Sequence, residues 1–284
     1  MYEITEARQL TKDIKLFGVH APHITHNAKA GNFIVVITDE KGERIPLTIY
    51  DWDREKGIIY MIFQEIGVST IKLGKLKKGG HVFAIAGPFG KPFHVEKYGN
   101  AVIIGGGVGT PAIFPIAREL KKAGNKVTSI IGYRTKELVI LAGEIETVSD
   151  RVIVATNDGT MGQKGMVTDA LQGLIDAGEK IDVVIAVGPV IMMKAVSDLT
   201  KKYNIKTIVS LNAVMVDATG MCGGCRVMVG GEAKFSCVDG PDFDGHQVDF
   251  DMLLSRVAAY KDKEKDALAH YCRLIEGKRG AEHG

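Results

Sequence analysis

The spacing of apolar residues changes twice along the chain, dividing it into three kinds of segment. Residues 1–97 hold short runs, "NFIVVITDE", "RIPLTIYDWD", "GIIYMIFQEI" and "GGHVFAIAGPFG". They are rich in β-branched and aromatic side chains and bounded by Gly, Asp, Asn or Pro. Several such strands in so short a span predict a small antiparallel barrel or sandwich.

Residues 98–212 alternate between two periods. "NAVIIGGG" reads as a buried strand. "TPAIFPIARELKKAG" has helical spacing, with Ile113, Ile116, Ala117 and Leu120 on one face and Gly124 as a stop. The strand "NKVTSIIGYR" and a helix-like "KELVILAGEIETVS" follow, then "DRVIVATNDG", "VTDALQGLIDAG", "IDVVIAVGP", "VIMMKAVSDLTKKYN" and "IKTIVSLN". This alternation predicts a parallel sheet with crossover helices. In residues 213–284 a Gly/Cys-rich loop is expected over 217–245. A long helical pattern then runs from Asp249 to Glu276, with Leu253, Val257, Tyr260, Leu268, Tyr271 and Ile275 as its apolar stripe. The expected fold class is a β barrel plus α/β. It divides into a barrel domain over 1–97, an α/β domain over 98–212 and a small C-terminal module over 213–284.

Hydrophobic residues make up 45% of the 284 and charged residues 25%, as in a globular protein. A net charge of +2 favours neither a nucleic acid nor an anionic membrane as partner. The apolar run at 101–117 is broken by glycines and prolines, which argues against a membrane span. The polar start, "MYEITEARQLTKDI", does not resemble a signal peptide, so a cytoplasmic location is expected. There the four cysteines are expected to be ligands or thiols rather than disulfides.

"VIIGGGVGTPAIF" sets Gly105, Gly107 and Gly109 between a strand and a helix. Backbone N–H groups there can cradle a pyrophosphate, although Thr110 stands where G-x-G-x-x-G has its last glycine. Asp158, in "TNDGTMGQKG", lies at a strand end and would accept hydrogen bonds from a ribose diol. It would also repel a 2′-phosphate, favouring NAD(H), while Arg134 at another strand end argues for NADP. An Asp-Gly turn without ligand is the plainer reading of Asp158. Gly188 and Pro189, in "VGPVIMM", would admit a nicotinamide ring, with Met192 beside it as ring contact or core residue.

The C-terminal loop carries Asp217-x4-Cys222-x2-Cys225-x11-Cys237. Plant-type [2Fe-2S] sites use C-x4-C-x2-C…C, so this chain keeps the spacing with Asp in the first place. A carboxylate is a harder donor than a thiolate and shifts the potential of the site. Three rivals stand: a zinc held by Cys3Asp, a thioredoxin-type dithiol at Cys222 and Cys225, and a cluster that takes Cys272 as fourth ligand. Cys272 falls on the helical stripe, which suggests a buried structural thiol.

These pieces, in this order, resemble the ferredoxin–NADP reductase superfamily. Over nearly its whole length the chain resembles the electron-transfer subunits of dihydroorotate dehydrogenase. It resembles more closely the small subunits of NADH-dependent reduced ferredoxin:NADP oxidoreductases, also called sulfide dehydrogenases. "RIPLTI" looks like the family's flavin motif. By that likeness Arg44 would face FAD phosphate, and Pro46, Leu47 and Thr48 the isoalloxazine edge. "IFQEIGVST" looks like the second FAD segment, with Ile62, Phe63 and Gln64 toward adenosine and Gly67, Ser69 and Thr70 at the pyrophosphate. "AGPFGKPF" is similar to the turn that closes the barrel. The dihydroorotate-type subunit carries Cys where Asp217 stands, and the bifurcating small subunit is expected to carry Asp.

The resemblance implies hydride transfer between NADH and FAD, with single electrons leaving through the [2Fe-2S] cluster formed by Asp217, Cys222, Cys225 and Cys237. It also implies a heterodimer with a larger subunit that carries FAD, [4Fe-4S] clusters and an NADP(H) site, and flavin-based bifurcation toward ferredoxin. This chain has no second nucleotide loop and no further cysteine set, so a terminal acceptor must lie on a partner. Other classes remain open: a zinc-stabilised NAD-binding regulatory module, or a stand-alone NADH:acceptor diaphorase.

Overall fold

The computed structural model describes residues 1–281. The first region contains β1 (Tyr2–Gln9), β2 (Ile14–His20), α1 (Pro22–Asn27), β3 (Phe33–Ile37), β4 (Ile45–Thr48), β5 (Asp51–Asp53), β6 (Ile58–Gln64), α2 (Val68–Gly74), β7 (His81–Val82) and β8 (Ala84–Phe89). These strands form two antiparallel sheets, ordered β5-β6-β2-β1-β7 and β4-β3-β8. The apolar residues between the sheets make the barrel core, where Phe17 and Phe63 meet edge to face at 5.1 Å. The first two strands escaped the sequence reading. In β1 only Ile4 is buried, and its charged neighbours hide the alternation.

The second region contains β9 (Asn100–Gly106), α3 (Thr110–Lys122), β10 (Lys126–Tyr133), α4 (Ala142–Val148), β11 (Arg151–Thr156), β12 (Gln163–Lys164), α5 (Val167–Asp176), β13 (Val183–Val187), α6 (Val190–Lys202) and β14 (Lys206–Ser210). β9 is buried almost throughout because helices cover both faces of the sheet. Ala101 and Ile103 enter one core with Ile113 and Leu120, and Val102 and Ile104 enter the other with Leu171 and Val196. The expected helix over "KELVILAGEIETVS" is broken. A short 3-10 turn spans Lys136–Leu138, and Leu141 takes φ +60° before α4 begins.

The third region departs most from expectation. The loop over 217–245 contains the hairpin β15 (Arg226–Val229) and β16 (Glu232–Phe235), then β17 (Asp242–Asp244). β17 pairs antiparallel with β14, so the large sheet is ordered β12-β11-β10-β9-β13-β14-β17. The single long helix is two, α7 (Phe250–Ala258), capped by the Asp249 side chain, and α8 (Lys261–Ala281). On the expected stripe Leu253 is buried, Tyr260 is exposed, and the Ile275 and Glu276 side chains lie outside the described residues. Cys272 is exposed, which corrects its expected burial, because α8 presents it to solvent.

Barrel and large sheet share apolar contacts. Ile14, Leu16, Tyr50 and Ile62 belong to the same cluster as α3 and β9. Arg118 on α3 crosses this seam, 2.6 Å from the Asp51 carboxylate, with its guanidinium 4.8 Å from the Trp52 ring.

Candidate functional site

The large sheet reverses its strand order between β9 and β13, the switch point where open α/β sheets bind ligands at strand carboxyl ends. The glycine loop and Gly188 sit at those ends. Their glycines are needed mainly for each other. A Cβ on Gly109 would lie 2.4 Å from the Val187 carbonyl oxygen, and one on Gly106 2.4 Å from Met192 Sδ. A Cβ on Gly105 would lie 2.9 Å from Thr110 Cα, and one on Gly188 2.7 Å from Met192 Cε. Gly107 alone of these has open space beside it, and its φ of +53° requires glycine. Thr110 is fully buried, and its hydroxyl is bonded to the Tyr133 hydroxyl at 2.9 Å. Tyr133 donates in turn to the Ile140 carbonyl at 2.9 Å. Burial pushes the Tyr133 phenol up to about 12. The Thr110 amide donates to the Gly107 carbonyl, so both polar groups of this buried residue are held inside the protein.

Asp158 is exposed. Its carboxylate caps its own turn, accepting the Thr160 hydroxyl at 2.7 Å and the Thr160 amide at 3.0 Å. These bonds hold it below the usual carboxylate range. The Asp158 amide reaches the Arg134 carbonyl, so both candidates for a ribose or its phosphate stand on one edge. Pro189 is exposed ahead of α6, and Met192 packs over Gly106 and Gly188.

On the barrel, Arg44 is exposed just before β4, Pro46 is exposed on it and Thr48 is half-buried. Leu47 points to the barrel core. Ser69 donates to Glu43, which brings α2 beside Arg44. Thr70 is occupied in capping, its hydroxyl accepting the Ile66 and Gly67 amides at 3.1 and 3.0 Å. Ile62 and Phe63 are buried in two different cores, and Gln64 donates to Asp13 at 2.6 Å. Ser69 is thus tied to the residue beside Arg44 in sequence, and the Glu43 carboxylate must move before Ser69 can meet a phosphate. The side chains of Ile62 and Phe63 do not face this position. A cavity of about 670 Å³, lined by Arg8, Tyr50, Trp52, Arg54 and Glu144 among others, touches none of the predicted cofactor residues.

In the C-terminal loop, Cys225 and Cys237 are buried with their sulfurs 3.2 Å apart. The Cys237 amide donates to the Cys225 sulfur at 3.5 Å. Burial, then the neighbouring Cys225 sulfur, pushes the Cys237 thiol up to about 12. Cys222 is exposed, and the Gly224 amide donates to its sulfur at 3.4 Å. Asp217 Oδ2 accepts the Cys222 amide at 2.9 Å and Oδ1 the Thr219 amide at 2.9 Å. The Thr219 amide leads in holding Asp217 below the usual carboxylate range. Positive φ at Ala218, Gly220 and Gly223 folds the loop back on itself. Among the described residues no three His, Cys, Asp or Glu side chains are arranged as a metal-ion site; Cys222 is exposed while Cys225 and Cys237 are buried. The donor set still fits an iron–sulfur group. Three thiols and a carboxylate lie in one loop, each Asp217 oxygen keeps a second lone pair, and an amide already meets a cysteine sulfur.

Strand register links the two sites. Val35 stands opposite Pro46 and Phe33 opposite Thr48 in the β3–β4 pair. Directly opposed residues share a face. Phe33 and Val35 also belong to the apolar cluster that holds Cys225 and Cys237. The residues opposite Pro46 and Thr48 thus belong to the same apolar cluster as the two buried cysteines.

Tyr133, Arg118 and Asp242 escaped the sequence reading. Each matters through a partner distant in the chain, and no local spacing marks it.

The fold is that of ferredoxin–NADP reductase-like oxidoreductases. A cytochrome P450 reductase from Amycolatopsis shares it, with a TM-score of 0.59 and 19% identity over 71% of this chain and 65% of that one. Residues 212–249 match the iron–sulfur cluster binding domain of dihydroorotate dehydrogenase B, a span that contains Asp217 and the three clustered cysteines. A homolog of the dihydroorotate dehydrogenase B (NAD(+)) electron-transfer subunit from Thermotoga maritima is 44% identical over 263 residues, 93% of each chain. A structure of the NADH-dependent reduced ferredoxin–NADP oxidoreductase, solved for insight into flavin-based electron bifurcation, aligns with a TM-score of 0.91. It is 42% identical and covers 97% of this chain and 98% of that one. The chain belongs to the family of dihydroorotate dehydrogenase B electron-transfer subunits and their homologues, and it is an oxidoreductase subunit. Among the described residues no helix is long and apolar enough to cross a membrane.

Proposed function

We propose that the chain is the FAD- and [2Fe-2S]-bearing small subunit of an NADH-dependent ferredoxin:NADP oxidoreductase. Its partner is a larger flavin and [4Fe-4S] subunit, and its setting is the cytoplasm, where thiols stay reduced. The observation that carries this reading is that Phe33 and Val35, opposite Thr48 and Pro46 across the strand pair, share one apolar cluster with Cys225 and Cys237, which favours a flavin and a cluster on one side of the molecule. The likeness to the bifurcating oxidoreductase and the Asp at position 217 favour that complex over a dihydroorotate dehydrogenase.

When bound, FAD converts hydride chemistry into single-electron transfer, and the cluster supplies a one-electron site. The protein's task is to bind, orient and shield. Arg44 pairs with phosphate, and Ser69 exchanges Glu43 for a phosphate oxygen. Pro46 and Thr48 present the flat edge of β4 to the flavin ring. The open space beside Gly107 receives the NADH pyrophosphate, Asp158 accepts a ribose hydroxyl, and Gly188, Pro189 and Met192 shape the nicotinamide bed. Cys225 and Cys237 anchor the iron from inside, while Asp217 and Cys222 close it from the solvent side.

Anaerobic titration of the purified chain with NADH, followed by flavin absorbance, tests the reading. Bleaching in proportion to added NADH is expected. A flavin that NADH leaves oxidised, or a colourless zinc protein, would overturn it.

A further inference from the structure

Asp242 is the one carboxylate among the described buried groups with neither oxygen hydrogen-bonded. Part of the residue reaches solvent, but neither carboxylate oxygen does. It stands opposite Ser210, the last residue of β14. A Cβ on Gly31 of the barrel would lie 3.2 Å from Asp242 Oδ2. Backbone bonds fasten this corner from three sides. The Lys91 amide donates to the Gly240 carbonyl at 2.7 Å, Phe93 to Ala30 at 2.8 Å, and Leu211 to Pro241 at 2.9 Å. The Ser236 hydroxyl, beside Cys237, donates to the Leu211 carbonyl at 3.2 Å. Asp242 thus sits where the barrel, the large sheet and the cysteine module meet.

Among the described residues no cation neutralises it. The nearby titratable group is Tyr98, whose ring carries Lys206 at 4.7 Å. Lys206 is itself paired with Glu96 at 3.1 Å. Lys91, on the barrel segment, is exposed. On its own segment, Asp239 accepts the Phe235 amide and Asp244 the His246 amide. An unpaired carboxylate cut off from water is costly, and a proton removes that cost. Burial raises Asp242 to about 7, while the Ser210 side chain across the strand pair, near the carboxylate but not in a full hydrogen bond with it, acts to lower it.

Given the function proposed above, we propose that Asp242 is a redox-linked proton site, taking up one proton as an electron reaches the iron–sulfur centre and releasing it as the electron leaves. Added negative charge nearby raises proton affinity, and low dielectric strengthens the coupling. The step balances. NADH gives up two electrons as a hydride; one, delivered through the flavin, reduces one ferric ion to ferrous, and the other passes to the acceptor on the partner subunit. One solvent proton converts the carboxylate to a carboxylic acid. Reoxidation by the acceptor returns both.

The test compares wild type, Asp242→Asn and Ser210→Ala, with iron and sulfide counted first. The cluster midpoint is followed by paramagnetic resonance from mildly acidic to mildly alkaline pH. Difference infrared spectra record the carboxylic acid carbonyl band. The wild-type midpoint should fall as pH rises through neutrality. Asp242→Asn, which mimics the neutral acid, should stay flat near the wild type's low-pH value. Ser210→Ala should move the sloping range to higher pH. Reduction at neutral pH should add a carboxylic acid band that the Asn variant lacks. Equal slopes in wild type and Asn variant, or no such band, would overturn the proposal. A chain that binds no iron would overturn the functional reading and leave nothing to couple to. Infrared titration of that metal-free chain would then separately show whether Asp242 holds a proton.

Discussion

The sulfur of Cys225 lies 3.2 Å from the sulfur of Cys237, and both residues are only 2% exposed. Cys222 and Asp217, joined through the Cys222 amide, face outward. The site therefore has a protected inner half and an accessible outer half, and substitutions in the two halves should differ.

In the outer half, Asp217→Ala removes a donor and frees the Thr219 and Cys222 amides. Iron retention should fall by more than the roughly 10–100-fold typical of changes to a metal's outer partners. Asp217→Cys should keep the cluster with a shifted potential. Iron and sulfide analysis after gel filtration, with a redox titration of the Cys variant, checks both. An unchanged spectrum and potential in Asp217→Ala would remove Asp217 from the ligand set.

Arg44 is exposed and lies next to Glu43, which accepts the Ser69 hydroxyl. A charge-assisted bond to phosphate is worth about 1.5–3 kcal/mol. Arg44→Ala should weaken FAD binding roughly 10–100-fold, at about 1.4 kcal/mol per tenfold. Flavin content after dialysis measures it, and unchanged flavin would take Arg44 out of the site.

Tyr133 ties Thr110 to the Ile140 carbonyl just before the positive-φ Leu141. Tyr133→Phe leaves two buried groups short of a partner and should cost about 1–3 kcal/mol of stability. NADH affinity should fall while flavin content holds. The phenol is raised from 10.0 to about 12 in the folded chain. Its contribution is complete below pH 10.0 and is lost as pH rises toward 12. Melting curves of wild type and Tyr133→Phe should therefore converge at strongly alkaline pH.

Arg118 bridges α3 and the barrel through Asp51 and Trp52. Arg118→Ala should lower stability by roughly 1.5–3 kcal/mol through the partly buried, charge-assisted bond. Lys should rescue only part of this, because it lacks the planar group that lies against Trp52. Denaturant titrations give the values.

The elements most legible in the sequence were those buried on both faces. β9 and β13 read as strands because their burial leaves unbroken apolar runs, and α3 because Ile113, Ile116, Ala117 and Leu120 repeat at helical spacing. β1 was hidden because only Ile4 along it is buried. β17 was hidden because "DFD" reads as a turn, and only its pairing with β14 makes it a strand. The break between α7 and α8 falls at Ala259 and Tyr260, with neither Gly nor Pro to mark it. At the site, motif and spacing located the loops but not the duties of single residues. Gly109 and Gly188 allow two strand-end loops to touch, which looks in sequence like room for a ligand. Thr110 departs from the glycine motif, and its bond to the hydroxyl of Tyr133, twenty-three residues away, leaves no trace in local spacing. Asp242 reads as one more acidic turn residue until the barrel closes over it.

The central claim is that one chain holds a flavin and an iron–sulfur cluster in electronic contact. Anaerobic visible and paramagnetic resonance spectra of the purified chain, with flavin, iron, sulfide and zinc counted, test it most directly when taken before and after NADH. One FAD, two irons and two sulfides per chain are predicted, with a cluster signal that appears on adding NADH. A zinc-containing colourless protein, or a cluster that stays oxidised while NADH reduces the flavin, would contradict it.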